Sequence, residues 1–304
     1  MQELLSNLVE KYKEYSINGK VADYIPGLSL ADPSTLGIAV CCKDGECYSS
    51  GAGKELFTIQ SISKVITLML AIRDNGEDYV FSKIGMEPTG DAFNSIQKLE
   101  TCKTHKPFNP LINAGAIAVS SLIKGESSER KFKRILDFIR KISENPDLSY
   151  DEEIYLGEKR TGNRNRSMAY FMKNEGIIEG DVEEALDVYF KQCSIKVSAL
   201  DLAKIGLFLV NDGIIKSGEK VVSTHTAKIV KSLMITCGMY DGSGEFAVRV
   251  GIPSKSGVGG GILSVAPGKM GIGIYGPALD EKGNSIAGIA LLEALSKEML
   301  LSIF

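Results

Sequence analysis

Ser61 and Lys64 lie three apart in Phe57-Thr-Ile-Gln-Ser-Ile-Ser-Lys64, where a glycine-bearing turn gives way to an apolar run. On a helix, positions i and i+3 share a face, so the amine can take the hydroxyl proton and make the serine a nucleophile. The spacing alone says little, because Ser-x-x-Lys occurs five times, at Ser61, Ser95, Ser121, Ser128 and Ser217. Context separates them. Ser128 opens a charged helix and Ser217-Gly-Glu-Lys220 has turn chemistry, whereas Ser61 is followed by Val65, Ile66, Leu68, Met69, Leu70, Ala71 and Ile72. A helix apolar on all sides is a buried one. A lysine held against it is partly desolvated, which lowers its pKa and favours the neutral amine. The same residues also fit a capping serine with a snorkelling lysine.

Other polar groups stand out along the chain. Glu158-Lys-Arg-Thr-Gly-Asn-Arg-Asn165 gathers carboxylate, guanidinium and amide groups. It reads either as a polar loop turning at Gly162 or as a grip for a zwitterion. Asn113 stands where a helix begins, as an N-cap or as an amide offered to a ligand. Tyr24 lies in a loop before Ile25-Pro26, where packing is the simpler reading and proton donation the alternative. Tyr189 falls in a helix and belongs to the core unless its hydroxyl faces a pocket. Lys255-Ser-Gly257 and Gly259-Gly-Gly261 precede a strand, and the glycines allow backbone to approach a ligand closely.

The elements that must hold these groups follow from periodicity. Residues 1–14 form an amphipathic helix. Leu36–Cys42 and Glu46–Ser50 form a hairpin turned by Asp44-Gly45. Cys42 and Cys47 flank that turn and can face each other across it, though free thiols suit a reducing compartment better. Ser61 opens the central helix, which Asn75-Gly76 stops. Residues 77–112 have turn chemistry. Ser128–Ser143 is amphipathic, Ala185–Phe190 is helical, Ser198 caps a helix reaching about Val210, and a further helix spans about residues 224–236. Residues 242–276 hold eleven glycines among short β-branched runs, which predict strands at 246–250, 262–266 and 270–275. Residues 289–304 read as an apolar helix. Sheet signals at both ends and helices between predict an α+β fold. In it an antiparallel sheet lobe (about 1–60 and 241–304) faces a helical lobe (about 61–240) within one catalytic unit, with Ser61 at the seam.

The bulk numbers exclude several classes. The 304 residues are 44% hydrophobic and 24% charged, with a formal net charge of -3 and no basic run, against nucleic-acid binding. No apolar stretch is long enough for a membrane span and the N-terminus is no signal peptide, which predicts a cytoplasmic protein. Six cysteines without a Cys-x-x-Cys pair and only two histidines disfavour a metal site or a histidine triad.

Ser-x-x-Lys at a buried helix, a helical insertion and a late Lys255-Ser-Gly257 together resemble the penicillin-recognising serine hydrolases, whose signature includes Lys-Thr-Gly. A finer match runs through Val21-Ala-Asp-Tyr-Ile-Pro26, Gln60-Ser-Ile-Ser-Lys64, Asn113-Ala-Gly-Ala116 and Gly162-Asn-Arg-Asn165. It continues through Cys193-Ser-Ile195, Cys237-Gly-Met-Tyr-Asp241 and Lys255-Ser-Gly-Val258. In this order they resemble the serine-dependent glutaminase family, in its short bacterial form without ankyrin repeats. The resemblance implies a β-lactamase/transpeptidase-like fold and hydrolysis of L-glutamine to L-glutamate and ammonia. It implies Ser61 as nucleophile, Lys64 as base, Tyr240 as proton relay and Tyr24 as a supporting tyrosine. Backbone amides of Ser61 and Val258 would hold the oxyanion. Asn113, Glu158, Asn165 and Tyr189 would bind substrate, with Glu158 facing the α-ammonium. It implies no metal or organic cofactor, and a dimer or tetramer. Two other readings stay open: a penicillin-binding hydrolase, and a glutamine-binding protein without turnover.

Overall fold

The computed structural model describes all 304 residues, Met1–Phe304. Helix α1 (Gln2–Tyr12) leads to the hairpin β1 (Gly37–Cys42) and β2 (Cys47–Gly51). A short strand β3 (Phe57–Thr58) and a 3-10 turn (Gln60–Ile62) open α2 (Ser63–Asn75). The middle is helical: α3 (Glu77–Lys83), α4 (Gln97–Thr101), α5 (Asn113–Ser121), α6 (Ser128–Ser143), α7 (Glu152–Thr161), α8 (Asn163–Asn174) and α9 (Val182–Cys193). Strand β4 (Lys196–Val197) pairs with β3, and α10 (Ala199–Val210), α11 (Thr224–Cys237) and α12 (Ser243–Arg249) follow. Strands β5 (Ser254–Ser256), β6 (Gly261–Ala266) and β7 (Met270–Tyr275) then lead to α13 (Ile286–Glu298).

The two strand-forming ends of the chain meet in one antiparallel sheet of order β2-β1-β7-β6-β5. Strand alternation divides its side chains between two cores. Ile38, Val40, Ile272 and Ile274 join Leu5, Val9, Leu291 and Leu295, so α1 and α13 cover one face. Ala39, Cys41, Leu263 and Val265 point the other way, into the larger helical core. There α10 lies almost on the backbone. A Cβ added at Gly273 would stand 1.9 Å from the Ala199 carbonyl oxygen, and one at Gly206 would stand 2.8 Å from Gly271 Cα. Helix α10 starts from a capping box in which Ser198 and Asp201 satisfy each other's backbone N–H groups. Helix α2 is buried from Ser63 to Ile72, at the centre of the helical core, as an all-round apolar run requires.

The structure departs from the sequence reading in several places. Residues 246–250 are not a strand but lie largely in α12. Phe246 and Val250 are buried at helical spacing while Val248 is 88% exposed. The edge strand is instead β5, made of Ser and Lys, whose pairing with β6 overrides its poor strand propensity. Cys47 pairs with Cys41, not Cys42, and the two form a disulfide. Cys42 N–H donates to Glu46 O across the turn, so the residue opposite Cys47 is the one before it, and Cys42 points to the other face. The turn-rich stretch 77–112 contains α3 and α4. The last helix ends at Glu298, and beyond it Ile303 N–H bonds to Gly251 O.

Candidate active site

A cavity of about 250 Å³ opens where the 3-10 turn before α2 meets the start of α5, the α7–α8 corner and α9. Seven of the residues singled out above line it: Tyr24, Ser61, Asn113, Glu158, Asn165, Tyr189 and Val258. Lys64 and Tyr240 stand one layer behind its wall.

Ser61 lies on the 3-10 turn rather than inside the helix. The residue before it, Gln60, has φ +48°, a conformation rare outside glycine. Lys64 falls in the first turn of α2 and has no exposed surface. Its Nζ donates to Asn113 Oδ1 at 2.7 Å and to Leu111 O at 3.2 Å. Burial draws its pKa down to about 8, against the opposing pull of Cys193 and Glu158. Asn113 is not an N-cap; Ile112 holds that position and the Asn113 side chain makes no cap bond. Its amide is bridged instead, accepting from Lys64 and donating from Nδ2 to Asn165 Oδ1 at 3.1 Å.

The cluster at 158–165 is a helix–turn–helix, not a loop. Glu158 comes from the last turns of α7 and Asn165 from the first turn of α8, with Gly162 between them. Burial raises the Glu158 pKa to about 7, against a hydrogen bond from Gln60 and the charge of Lys64. Glu158 Oε1 has no hydrogen-bond partner. A buried carboxylate oxygen without a donor is costly, and a cationic group in the cavity would satisfy it. Asp187 anchors this wall from outside the cavity. It accepts from Lys159 Nζ at 2.6 Å and from the Tyr155 hydroxyl on α7, and pairs with Lys191 at 3.1 Å. Burial pushes its pKa up, but these partners hold it well below the usual carboxylate range.

Tyr240 has φ +54° in a short 3-10 turn after α11. Ser243 Oγ accepts from Met239 N–H and donates to Tyr240 O, which ties the turn down. The phenol sits beside the Ser61 side chain and the Val258 backbone amide, yet its hydroxyl completes no hydrogen bond. Burial raises its pKa. The Val258 N–H donates to no protein acceptor. Tyr189 and Cys193, one turn apart on α9, are buried side by side at the cavity floor, and burial raises the pKa of both. Tyr24 is 55% exposed at the rim, and desolvation of its hydroxyl, with Tyr240 and Glu158 near, raises its pKa.

Sequence reasoning gave no role to four residues that the structure brings here. Gln60 and Cys193 line the cavity, Phe93 packs 4.7 Å from the Tyr240 ring, and Lys255 lies under that ring. Gln60, Cys193 and Lys255 sit inside the motifs quoted above, whereas Phe93 falls in a stretch with no signal beyond turn chemistry.

The family model described as Glutaminase matches residues 19–304. A glutaminase of Fusobacterium nucleatum subsp. nucleatum is 62% identical over 304 residues, covering all of both chains. The crystal structure of a probable glutaminase of Bacillus subtilis superposes with a TM-score of 0.94 at 42% identity, covering 100% of this chain and 97% of that one. A second Bacillus subtilis glutaminase structure is a covalent complex with 5-oxo-L-norleucine, formed by reaction of that protein with 6-diazo-5-oxo-L-norleucine. It superposes with a TM-score of 0.91 at 40% identity, covering 100% and 99% of the two chains.

Proposed function

The chain belongs to the glutaminase family, and we propose that it hydrolyses L-glutamine to L-glutamate and ammonia through a γ-glutamyl ester on Ser61. One observation carries the substrate reading: the cavity onto which Ser61 opens also holds a buried carboxylate, Glu158, with an oxygen lacking any donor. The α-ammonium of an amino acid supplies that donor, and Asn165 and Tyr189 stand near to take the α-carboxylate.

A neutral lysine amine has two N–H donors and one lone pair. The two donors of Lys64 are committed to Asn113 and Leu111. The lone pair is the remaining valence, and it accepts the Ser61 proton as Oγ bonds to the amide carbon. The carbonyl oxygen becomes an oxyanion, held by the backbone N–H groups of Ser61 and Val258. Tyr240, beside Ser61, passes the proton from Lys64 to the leaving nitrogen, the C–N bond breaks and ammonia departs. Water then attacks the ester, its proton returns along the same route to Ser61 Oγ, and glutamate leaves. Tyr24 closes the rim and supports the exchange. The reading also carries a cytoplasmic dimer or tetramer, checked by light scattering and cell fractionation.

Ammonia release from L-glutamine and L-asparagine, measured in parallel for the wild type and Ser61→Ala, tests the assignment. Wild-type turnover of L-glutamine and its abolition in a folded Ser61→Ala protein are expected. Normal turnover by that variant overturns the mechanism.

A further inference from the structure

Lys255 is one of two lysines with no exposed surface, the other being Lys64. It lies on β5 and reaches no cavity-lining position of its own. Its Nζ donates to Gly238 O at 3.0 Å and to Ser256 O at 2.6 Å, and stands 4.3 Å from the centroid of the Tyr240 ring. Two N–H groups of an ammonium are thus spent on carbonyls and the third is left for the π face. No carboxylate is among these partners. A buried cation without a counter-charge is expensive, so an apolar residue would serve a purely structural purpose better.

The contacts converge on one turn. Gly238, whose carbonyl Lys255 holds, is the C-cap of α11 and comes two residues before Tyr240. Ser256 N–H donates to the same carbonyl at 3.1 Å, so β5 is stitched to the end of α11. Phe93 contacts the Tyr240 ring as well. The ring is therefore held between an apolar side chain and an amino group. Its backbone is kept in the left-handed region, where a tyrosine is strained unless its surroundings over-determine it.

We propose that Lys255 is a positioning residue for the reaction: its amino group fixes the Tyr240 ring beside Ser61 and favours negative charge on the phenol oxygen as the proton passes through it. A cation at a ring face stabilises electron density developing in that ring, and more so away from water. Burial, with Lys64 close by, draws the Lys255 pKa well below the usual lysine range, opposed by Cys237. The two carbonyls and the ring also favour its ammonium form. The inference rests on the relay role given to Tyr240 above.

The test is a double-mutant cycle on L-glutamine turnover with Lys255→Met, Tyr240→Phe and the pair, each checked for folding by circular dichroism. Lys255→Met is expected to lower kcat about 30-fold with KM within about threefold, because the contact acts on the relay and not on substrate binding. In the Tyr240→Phe background the same substitution is expected to cost less than about threefold. An equal loss in both backgrounds overturns the inference and leaves the relay standing. Near-normal kcat in Tyr240→Phe alone overturns the relay reading, and the inference with it. Should Lys255→Met not fold, Lys255→Gln, which keeps an N–H donor without the charge, takes its place in the cycle. Failure of both variants to fold assigns Lys255 to the architecture alone and overturns the inference.

Discussion

Lys64 illustrates how one buried side chain sets a working range. An ordinary lysine titrates near 10.4 and is almost wholly charged at neutral pH. With its pKa drawn down to about 8 by burial, a substantial minority is the neutral base. The proposed role needs the neutral form, so activity should rise with pH and level off above the Lys64 pKa. Glu158, raised to about 7, must be ionised to meet an ammonium, and it pushes in the same direction. The expected kcat/KM profile climbs steeply from pH 6, bends near 7 and 8 and is flat above. A profile flat from pH 6 to 9 would remove Lys64 from the role of base. At this scale the sequence was informative about identity and poor about geometry. Ser61 and Lys64 were legible because seven apolar residues follow them. The left-handed backbone of Tyr240 and the amino group beneath its ring were not, because they depend on a strand and a helix end meeting from separate parts of the chain.

The elements are held by contacts too close for most side chains. Helix α10 approaches the sheet so nearly that Gly273 has room for no Cβ. Gly273→Val should cost about 3 kcal/mol or more of stability, at or above the upper end of overpacking, because the obstacle is the Ala199 carbonyl and not a movable side chain. Urea unfolding measures it, and an unchanged midpoint would mean that α10 can lift off the sheet freely. Periodicity found α6, α10 and α11 nearly to the residue, since each has a clear cap and a clear apolar face. It failed on α12, where Phe246-Ala-Val-Arg-Val250 satisfies strand and helix patterns equally and only Val248's exposure decides. It also read the 158–165 cluster as a loop, because Gly162 in a polar run looks like a turn between strands or coils as readily as between helices.

At the scale of the molecule, chemistry and covalent reinforcement are kept apart. The Cys41–Cys47 disulfide ties the outermost hairpin, while the cavity is built from α5, α7, α8, α9, the serine turn and the loop after β5. Reduction with dithiothreitol should lower stability by about 2 kcal/mol and Tm by a few degrees, with kcat within about twofold of the oxidised protein. Assays and melting curves on both forms measure this, and a large loss of kcat on reduction would tie the hairpin to the site. The joining of the two chain ends in one sheet was legible, because strand patterns occur only there. The pairing of β1 with β7 in its centre has a further consequence, for the order of events during synthesis. Strand β1 gains its inner neighbour only when β7 has been made, roughly 230 residues later. At about 5–20 residues per second that is some 10–50 s of translation. Through that interval the hairpin carries an open edge beside a helical region able to collapse around α2 without it. The sheet is therefore the last part of this protein that a ribosome can finish, and the serine turn waits on a strand near the end of the message.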